Sequence, residues 1–362
     1  MWDAATPYVD WTNNGGEKML DINQIYNMDC RAGLKLLDDN SIDCCITFPP
    51  YWGLRDYGVD GQIGLEETLQ DYLKEMVEVF REVKRILKPE GTLWLNLGDS
   101  YVGTGGNRKN EVKNKIFNQQ QSHNPKNGRY ERIKKIKEDG LKPKDLMGIP
   151  WRVAFALQED GWYLRSDIIW NKTNCMPEAV KDRPTKAHEY IFLLSKSNRY
   201  YYDNESIKED CVNGDPNPPR GSKGVLGNLN KGRRLKGNSK TFRGGGAYTQ
   251  NRCFDNSADV ERESHGNKPN LLMKRNKRTV WNVATDSFKE AHFATFPPKL
   301  IEPCVIAGCP EGGIILDVFM GSGTTGMVAI KNNRNYIGFE LNHDYVEIAN
   351  KYRLNEVQLK IV

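Results

Sequence analysis

Residues 314–330, IILDVFMGSGTTGMVAI, decide the fold. An apolar run ends at Asp317, a glycine-rich stretch with Gly321 and Gly323 follows, and a second apolar segment begins at Thr324. Glycine permits a tight turn and lets a ligand approach the backbone, and the first N–H groups of a helix can donate hydrogen bonds to that ligand. The stretch therefore predicts a strand, a ligand-binding turn and a helix.

A second strand follows this helix and ends in an acidic residue. The segment NYIGFELN reaches Glu340 about 20 residues after the turn, where a carboxylate is placed to bind a ribose diol. No Gly-Lys-Ser/Thr follows the glycines, so a phosphate-binding P-loop is not expected. The order of elements predicts a ribose-bearing ligand, and a dinucleotide is one candidate at this point.

The rest of the chain alternates strand and helix patterns. Apolar residues between 65 and 87 recur at a helical period, and Lys88-Pro89-Glu90-Gly91 is predicted to stop that helix. Strands separated by helices imply a mainly parallel, doubly wound α/β sheet. Strands are predicted in 23–29, 42–48, 92–100, 163–172, 187–197, 312–319 and 334–341, and helices in 30–39, 65–87, 149–161, 298–308, 324–333 and 343–354.

Composition indicates a globular protein of the cytoplasm. The 362 residues are 38% hydrophobic and 27% charged, and no run of about 18 apolar residues predicts a membrane span. The first 16 residues lack the apolar core of a signal peptide. The eight cysteines include no C-x-x-C pair, so no metal site is expected.

Two segments carry most of the positive charge. Residues 101–145 contain 12 Lys and Arg against 5 Asp and Glu, and residues 201–280 contain 16 against 9, so each carries +7 and the rest of the chain −9. Solvated loops are one interpretation. The other is an electrostatic footprint for nucleic acid, with an affinity that falls steeply with salt. Its predicted DNA contacts are Arg233, Arg234, Lys236 and Arg243.

The stretch ITFPPYWGLRDYG, residues 46–58, predicts a second ligand-binding turn. Pro49 and Pro50 cannot donate backbone hydrogen bonds, so the preceding strand must stop there. The turn is predicted to present Tyr51 and Trp52 at the carboxyl end of a strand, the edge at which open α/β sheets bind ligands. Two aromatic side chains at that edge favour a flat ligand.

Taken together, these motifs resemble S-adenosylmethionine-dependent DNA amino-methyltransferases. DVFMGSGTT with GFELN is similar to their cofactor site, and FPPYW is similar to their catalytic motif, usually Asp/Asn/Ser-Pro-Pro-Tyr/Phe. The catalytic motif precedes the cofactor motif, which is the permuted order of the β group. GTLWLNLGDSY and DRPTKAHEYIFLLSKS resemble the cytosine-N4 branch.

The resemblance implies a Rossmann-like, doubly wound methyltransferase sheet with an inserted basic target-recognition region. Residues 20–200 would form the catalytic part of the methyltransferase domain, with a basic insertion at 101–145. Residues 201–280 would form the target-recognition region, and residues 281–362 would form the cofactor-binding part of the same domain. The implied partner is double-stranded DNA, a cognate restriction endonuclease is a further candidate, and the protein would be a monomer or homodimer. The cofactor would be S-adenosylmethionine, bound by Asp29, Lys299, Asp317, Phe319, Gly321, Gly323, Thr324 and Glu340.

The resemblance also assigns roles within the catalytic motif. Tyr51 would stack on a nucleobase flipped out of the duplex, and the Pro49 carbonyl would accept one hydrogen of its amino group. The polar residue before the prolines would accept the other hydrogen, but this chain has Phe48 there, which has no acceptor.

A second departure lies at Cys175, where the cytosine-N4 branch usually has proline in Asn-Pro-Met-Pro-Glu. A neutral substitution is one interpretation. The other is a thiolate nucleophile for C5-cytosine methylation, with Glu178 assisting at N3 of the base. Exocyclic N4 of cytosine is favoured as the methylated atom. C5 of cytosine, N6 of adenine and a non-catalytic nucleic-acid-binding protein are the alternatives.

Overall fold

A computed structural model describes residues 20–54, 57–102, 140–210, 274–286 and 296–358. Its strands are β1 Gln24–Asn27, β2 Ile42–Thr47, β3 Leu87–Leu97, β4 Tyr163–Asn171, β5 His188–Ser195, β6 Glu209–Asp210, β7 Lys274–Arg275, β8 Val280–Asn282, β9 Ile314–Asp317 and β10 Asn335–Glu340. Its α-helices are α1 Cys30–Leu34, α2 Leu69–Ile86, α3 Ile149–Glu159, α4 Pro298–Gly308, α5 Thr324–Lys331, α6 His343–Ala349 and α7 Asn355–Gln358, and the π-helical segment Asn350–Leu354 joins the last two.

Eight of these strands form one sheet in the order β1-β10-β9-β2-β3-β5-β4-β8. The first five strands of the sheet are parallel to one another: β1, β10, β9, β2 and β3. Strand β5 is antiparallel to both of its neighbours, and β8 is parallel to β4. The central strands are buried almost throughout, as strands covered on both faces must be. The predicted doubly wound α/β sheet is confirmed, with an antiparallel strand near one edge.

The chain divides into two compact units. One comprises residues 1–201 and 280–362, and contains the large sheet. The other comprises residues 202–279, within which β6 and β7 pair in antiparallel fashion. The role of the second unit in target recognition stays a prediction, and Arg233, Arg234, Lys236 and Arg243 lie outside the described residues.

Helix α2 begins later than the apolar pattern predicts. Its N-cap is Thr68, whose hydroxyl accepts a hydrogen bond from the Asp71 N–H, so Leu65 precedes the helix. The helix ends at Ile86, just before the predicted stop at residues 88–91. That segment is part of β3, which begins at Leu87. The side chains of α2 that pack on the sheet are buried: Leu69, Tyr72, Met76, Val79, Phe80, Val83 and Ile86.

Within the described part of the chain, no helix is long and apolar enough to cross a membrane.

Candidate functional site

The last residues of two adjacent strands are joined by a buried carboxylate. Asp317 at the end of β9 accepts hydrogen bonds from Thr47 Oγ1 at 2.7 Å, Thr325 Oγ1 at 2.6 Å and the Phe319 N–H at 3.0 Å. Burial raises the pKa of Asp317 to about 6, although these three donors oppose the shift. The side chain thus connects β2, β9 and α5 beneath the glycine turn.

The other predicted carboxylate, that of Glu340, is hydrogen-bonded to the glycine turn. Glu340 Oε2 accepts a hydrogen bond from the Gly321 N–H at 2.7 Å, and Oε1 accepts one from the Asn342 N–H at 2.8 Å. Burial raises the pKa of Glu340, and the two backbone donors counteract part of that effect. Gly321 and Gly323 adopt φ angles of +54° and +79°, which favour glycine.

A cavity of about 170 Å³ lies above this turn. Aromatic and apolar side chains from five separate regions of the chain line it together with two carboxylates. Six predicted site residues are among its lining residues: Asp29, Phe48, Pro50, Phe319, Gly321 and Glu340. A mainly apolar cavity with a few carboxylate and backbone groups at a switch in strand order is typical of a nucleoside-binding site.

Other predicted cofactor residues do not line the cavity. Asp317 lies behind the turn, and the side chain of Lys299 is exposed on α4. Thr324 is buried, with its hydroxyl accepting a hydrogen bond from Arg353 at 2.6 Å. A Cβ atom on Gly323 would lie 2.8 Å from the Ala349 Cβ, so this glycine permits close packing with α6. Direct contact of these residues with a cofactor stays a prediction.

Asp29 lies between β1 and α1 and is paired within the protein. Its side chain caps α1 by accepting from the Arg31 N–H at 2.7 Å, and its Oδ2 atom lies 2.6 Å from the Arg31 guanidinium. Burial alone would raise the pKa of Asp29, but the hydrogen bonds and charge of Arg31 outweigh it and lower the pKa. Arg31 also donates to the Gly61 carbonyl and thereby connects Asp29 to the loop that follows FPPYW.

That loop supplies cavity residues that sequence reasoning missed. Tyr57, Val59, Gln62 and Ile63 line the cavity, and the ring of Tyr57 meets that of Tyr345 edge-on with centroids 6.4 Å apart. The sequence carries one signal of this loop, namely the four glycines between residues 53 and 64, all of which adopt positive φ angles. Their spacing does not reveal which side chains face inward.

The FPPYW turn differs from the prediction at one aromatic residue. Trp52 is buried and its indole N–H donates to the Glu66 carbonyl, so it anchors the loop and does not face a ligand. The Pro50 carbonyl accepts a hydrogen bond from the Tyr72 hydroxyl at 3.1 Å. None of the described residues donates a hydrogen bond to the Pro49 carbonyl.

Phe48 contributes an aromatic face to the cavity. Its ring stacks on that of Phe296, with centroids 3.7 Å apart and an interplanar angle of 13°, and both residues line the cavity. Phe296 was not predicted as a site residue. It lies just before α4, and only the spatial pairing with Phe48 reveals its position.

Tyr51 is held by groups from two strands. Its hydroxyl lies 2.7 Å from Asn96 Oδ1 and 2.8 Å from Glu189 Oε2, and Glu189 also forms an ion pair with Lys172. The Tyr51 ring packs against Gly98, where an added Cβ would lie 2.5 Å from the ring. Burial, followed by the charge of Glu189, raises the pKa of Tyr51 well above 10. The ring therefore has a fixed position and a neutral phenol.

Cys175 and Glu178 lie in the loop after β4 and not among the cavity residues. The Cys175 N–H donates to the Lys172 carbonyl at 3.3 Å. Glu178 forms an ion pair with Arg183 at 2.6 Å, so its carboxylate is already paired. The described residues contain no group of His, Cys, Asp and Glu side chains that could hold a metal ion.

Comparisons with known proteins identify the family. A family model for N6 and N4 methyltransferases, described as DNA methylase, matches residues 42–351. The chain is 44% identical to the Type II methyltransferase M.SmaI of Serratia marcescens, over 89% of this chain and 87% of that protein. It is also 44% identical to the Type II methyltransferase M.Cfr9I of Citrobacter freundii, over 90% of this chain and 85% of that protein.

A solved structure has the same fold. The PvuII DNA methyltransferase (cytosine-N4-specific) superposes with a TM-score of 0.54 and 16% identity, over 92% of this chain and 89% of that chain. The resemblance inferred from the motifs is confirmed, and S-adenosylmethionine is the cofactor. The chain belongs to the N6 and N4 DNA methylase family.

Proposed function

We propose that the protein transfers the methyl group of S-adenosylmethionine to the exocyclic N4 atom of a cytosine flipped out of duplex DNA. The observation that carries the proposal is the FPPYW turn beside the cofactor cavity. Phe48 and Pro50 of this turn line the cavity, while Tyr51 is held next to them by Asn96 and Glu189. The turn can therefore bring a flat base next to the bound cofactor.

The residues of the cavity fit the cofactor. Glu340 is placed to accept hydrogen bonds from the ribose hydroxyls. A ligand can approach the Gly321 Cα, because the nearest atom to a Cβ built there is the Phe319 carbonyl oxygen, at 4.0 Å. Aromatic and apolar walls suit the adenine ring. When bound, S-adenosylmethionine supplies an electrophilic methyl group on a sulfonium ion.

The turn supplies the groups that an amino-methylation needs. The Pro49 carbonyl can accept one hydrogen of the target amino group, which favours a nitrogen lone pair directed at the methyl group. Stacking of the base on Tyr51 is worth about 1–3 kcal/mol. Attack by this nitrogen would form the N–C bond as the S–CH3 bond of the sulfonium breaks, so that neutral S-adenosylhomocysteine leaves, and the nitrogen would then lose a proton to solvent. Phe48 offers no second acceptor, so Pro49 carries this role alone.

The choice of N4 is supported by the segments that resemble the cytosine-N4 branch, including DRPTKAHEYIFLLSKS. Both M.SmaI and M.Cfr9I are Type II methyltransferases, which supports site-specific modification of DNA by this chain and makes a cognate restriction endonuclease a candidate partner. The recognition sequence would be read by the second unit, residues 202–279.

Two substitutions test this chemistry with radiolabelled S-adenosylmethionine and unmethylated plasmid DNA. Cys175→Ala should keep the methylation rate within about twofold, because an amino-methylation needs no thiolate. Phe48→Ser should maintain or raise the rate, because a hydroxyl restores the second acceptor. Calorimetric binding of S-adenosylmethionine serves as the control for folding.

Loss of methylation in a folded Cys175→Ala variant would contradict the proposal. Trapping of the wild-type protein on DNA that contains 5-fluorocytosine would do the same, because only an attack at C6 forms that covalent adduct.

A further inference from the structure

An exposed apolar side chain lies on the loop that follows β4, at the edge of the sheet where the FPPYW turn lies. Strands β2 and β3 are parallel, and β3 and β4 are both antiparallel to β5. The ends of β2 and β4 therefore lie at the same edge. Residues 172–178, here named the Met176 loop, leave β4 at that edge.

The first half of the Met176 loop is fixed to the site and to its neighbours. The side chain of Lys172 pairs with Glu189, which in turn lies 2.8 Å from the Tyr51 hydroxyl. Asn174 Oδ1 accepts hydrogen bonds from the Thr285 N–H at 2.7 Å and hydroxyl at 3.0 Å, and its amide donates to the Thr285 carbonyl at 3.0 Å. Two side chains thus hold this half in place.

The second half of the Met176 loop is held by an ion pair. Glu178 is paired with Arg183 at 2.6 Å, and the Arg183 guanidinium lies over the ring of Tyr101 at 3.8 Å. Residues 172–186 contain four Lys and Arg against two Asp and Glu, a net charge of +2. Such a surface is compatible with the phosphates of DNA.

Between these two anchors, Met176 projects into solvent. Its side chain is 78% exposed, the largest exposed fraction among the large apolar residues that the structure describes, and Pro177 follows it. Leaving a Met side chain in water forgoes about 1.5–3 kcal/mol of burial, and a loop held at both ends cannot easily turn it inward. Burial of Met176 against a partner would therefore be favourable in free energy.

We propose that Met176 enters the base stack of duplex DNA and fills the space left by the flipped base. This role rests on the proposed base flipping at Tyr51. Removing a base from the stack costs a few kcal/mol, and apolar wedges of Met or Pro are among the side chains that proteins insert between base steps. An unbranched thioether adapts to the gap, and burial of its apolar surface offsets part of the cost of flipping.

The test compares single-turnover methylation by Met176→Ala, Met176→Leu and the wild-type protein on a duplex whose target site has first been mapped by single-molecule sequencing. Leu36→Ala is the matched control, because Leu36 is 41% exposed and precedes β2 at the opposite edge of the sheet. Each protein is also assayed on a duplex with a mismatched base opposite the target, where flipping is less costly.

Met176→Ala should be about tenfold slower on the matched duplex and within about twofold of wild type on the mismatched one, with unchanged binding of S-adenosylmethionine. Met176→Leu and Leu36→Ala should resemble the wild type on both duplexes. An unchanged rate on the matched duplex, or an equal loss on both, would overturn the role of Met176. A wild-type protein that binds S-adenosylmethionine but methylates no duplex would overturn the proposed function and this role with it.

Discussion

Gly321 and Gly323 adopt positive φ angles in one turn, but their missing side chains face different surroundings. A Cβ atom on Gly323 would meet Ala349, whereas one on Gly321 would meet only the Phe319 carbonyl, at 4.0 Å. Gly321 lines the cavity, so an added methyl group would project into the space that the proposal assigns to the cofactor. Gly323 thus permits helix packing, and Gly321 is the glycine that the proposal assigns to ligand binding.

Gly321→Ala should weaken S-adenosylmethionine binding about tenfold or more, because a positive φ angle costs a non-glycine residue about 1–2 kcal/mol and the methyl group occupies ligand space. Gly312→Ala is the control: its φ angle is +75°, no atom lies within 4 Å of the added Cβ, and it is remote from the cavity residues. Both variants should lose similar free energy of unfolding, measured with urea, but only the first should lose affinity by calorimetry. Equal affinity in the two variants would refute this assignment of the site.

At the scale of single residues, the sequence predicts cavity residues better than it predicts their partners. Gly321 and Glu340 follow from the order of strand, turn, helix and strand within about 30 residues, which is a local pattern. The partner of Asp317 does not follow from such a pattern, because Thr47 lies 270 positions away in the chain and meets Asp317 only when β2 pairs with β9. A long-range contact of this kind has no local signal.

Two strands and the residue that follows a third hold the aromatic ring of Tyr51. Asn96 belongs to β3, Glu189 to β5, and Lys172 directly follows β4. The antiparallel pairing of these strands brings Asn96 and Glu189 to the Tyr51 hydroxyl and Lys172 to Glu189, while Gly98 supports the ring. The orientation of the FPPYW turn thus depends on the strands beside it as well as on its own prolines.

Gly98→Ala should displace the Tyr51 ring and lower the methylation rate about tenfold without changing the affinity for S-adenosylmethionine. The added Cβ would lie 2.5 Å from Tyr51 Cε2, and such overpacking costs about 1–3 kcal/mol in the free energy of unfolding. In a Tyr51→Ala background the methyl group has no ring to displace, so the same change should then cost less than about 0.5 kcal/mol. Equal costs in the two backgrounds would show that Gly98 acts through something other than Tyr51.

Element types could be predicted from the sequence more fully than element boundaries. Helix α4 lies where its apolar period predicts it, at 298–308, whereas α2 starts four residues later than expected because Thr68 caps it. The predicted C-terminal helix changes to a π-helical segment at Asn350. Caps and irregular turns depend on a few hydrogen bonds that an apolar pattern does not encode.

At the scale of the whole molecule, the parallel sheet could be predicted but its strand order could not. Alternating strand and helix patterns specify the class of sheet, while the order of the strands depends on pairings such as β1 with β10, which join the two ends of the first unit. This pairing places Asp29 and Glu340 in one cavity although the chain separates them widely. The DNA contacts predicted in 101–145 and 201–280 lie mostly outside the described residues and stay predictions.

The identity of the methylated nucleoside distinguishes N4 methylation of cytosine from every alternative. Unmethylated DNA is incubated with the full-length protein and S-adenosylmethionine that carries a trideuterated methyl group, digested to nucleosides and analysed by mass spectrometry. The proposed amino-methylation predicts deuterium-labelled N4-methyl-2′-deoxycytidine, because in that proposal the Pro49 carbonyl orients the amino group of cytosine beside the cavity that Phe48 and Pro50 line. Labelled 5-methyl-2′-deoxycytidine, labelled N6-methyl-2′-deoxyadenosine, or no labelled nucleoside would contradict it.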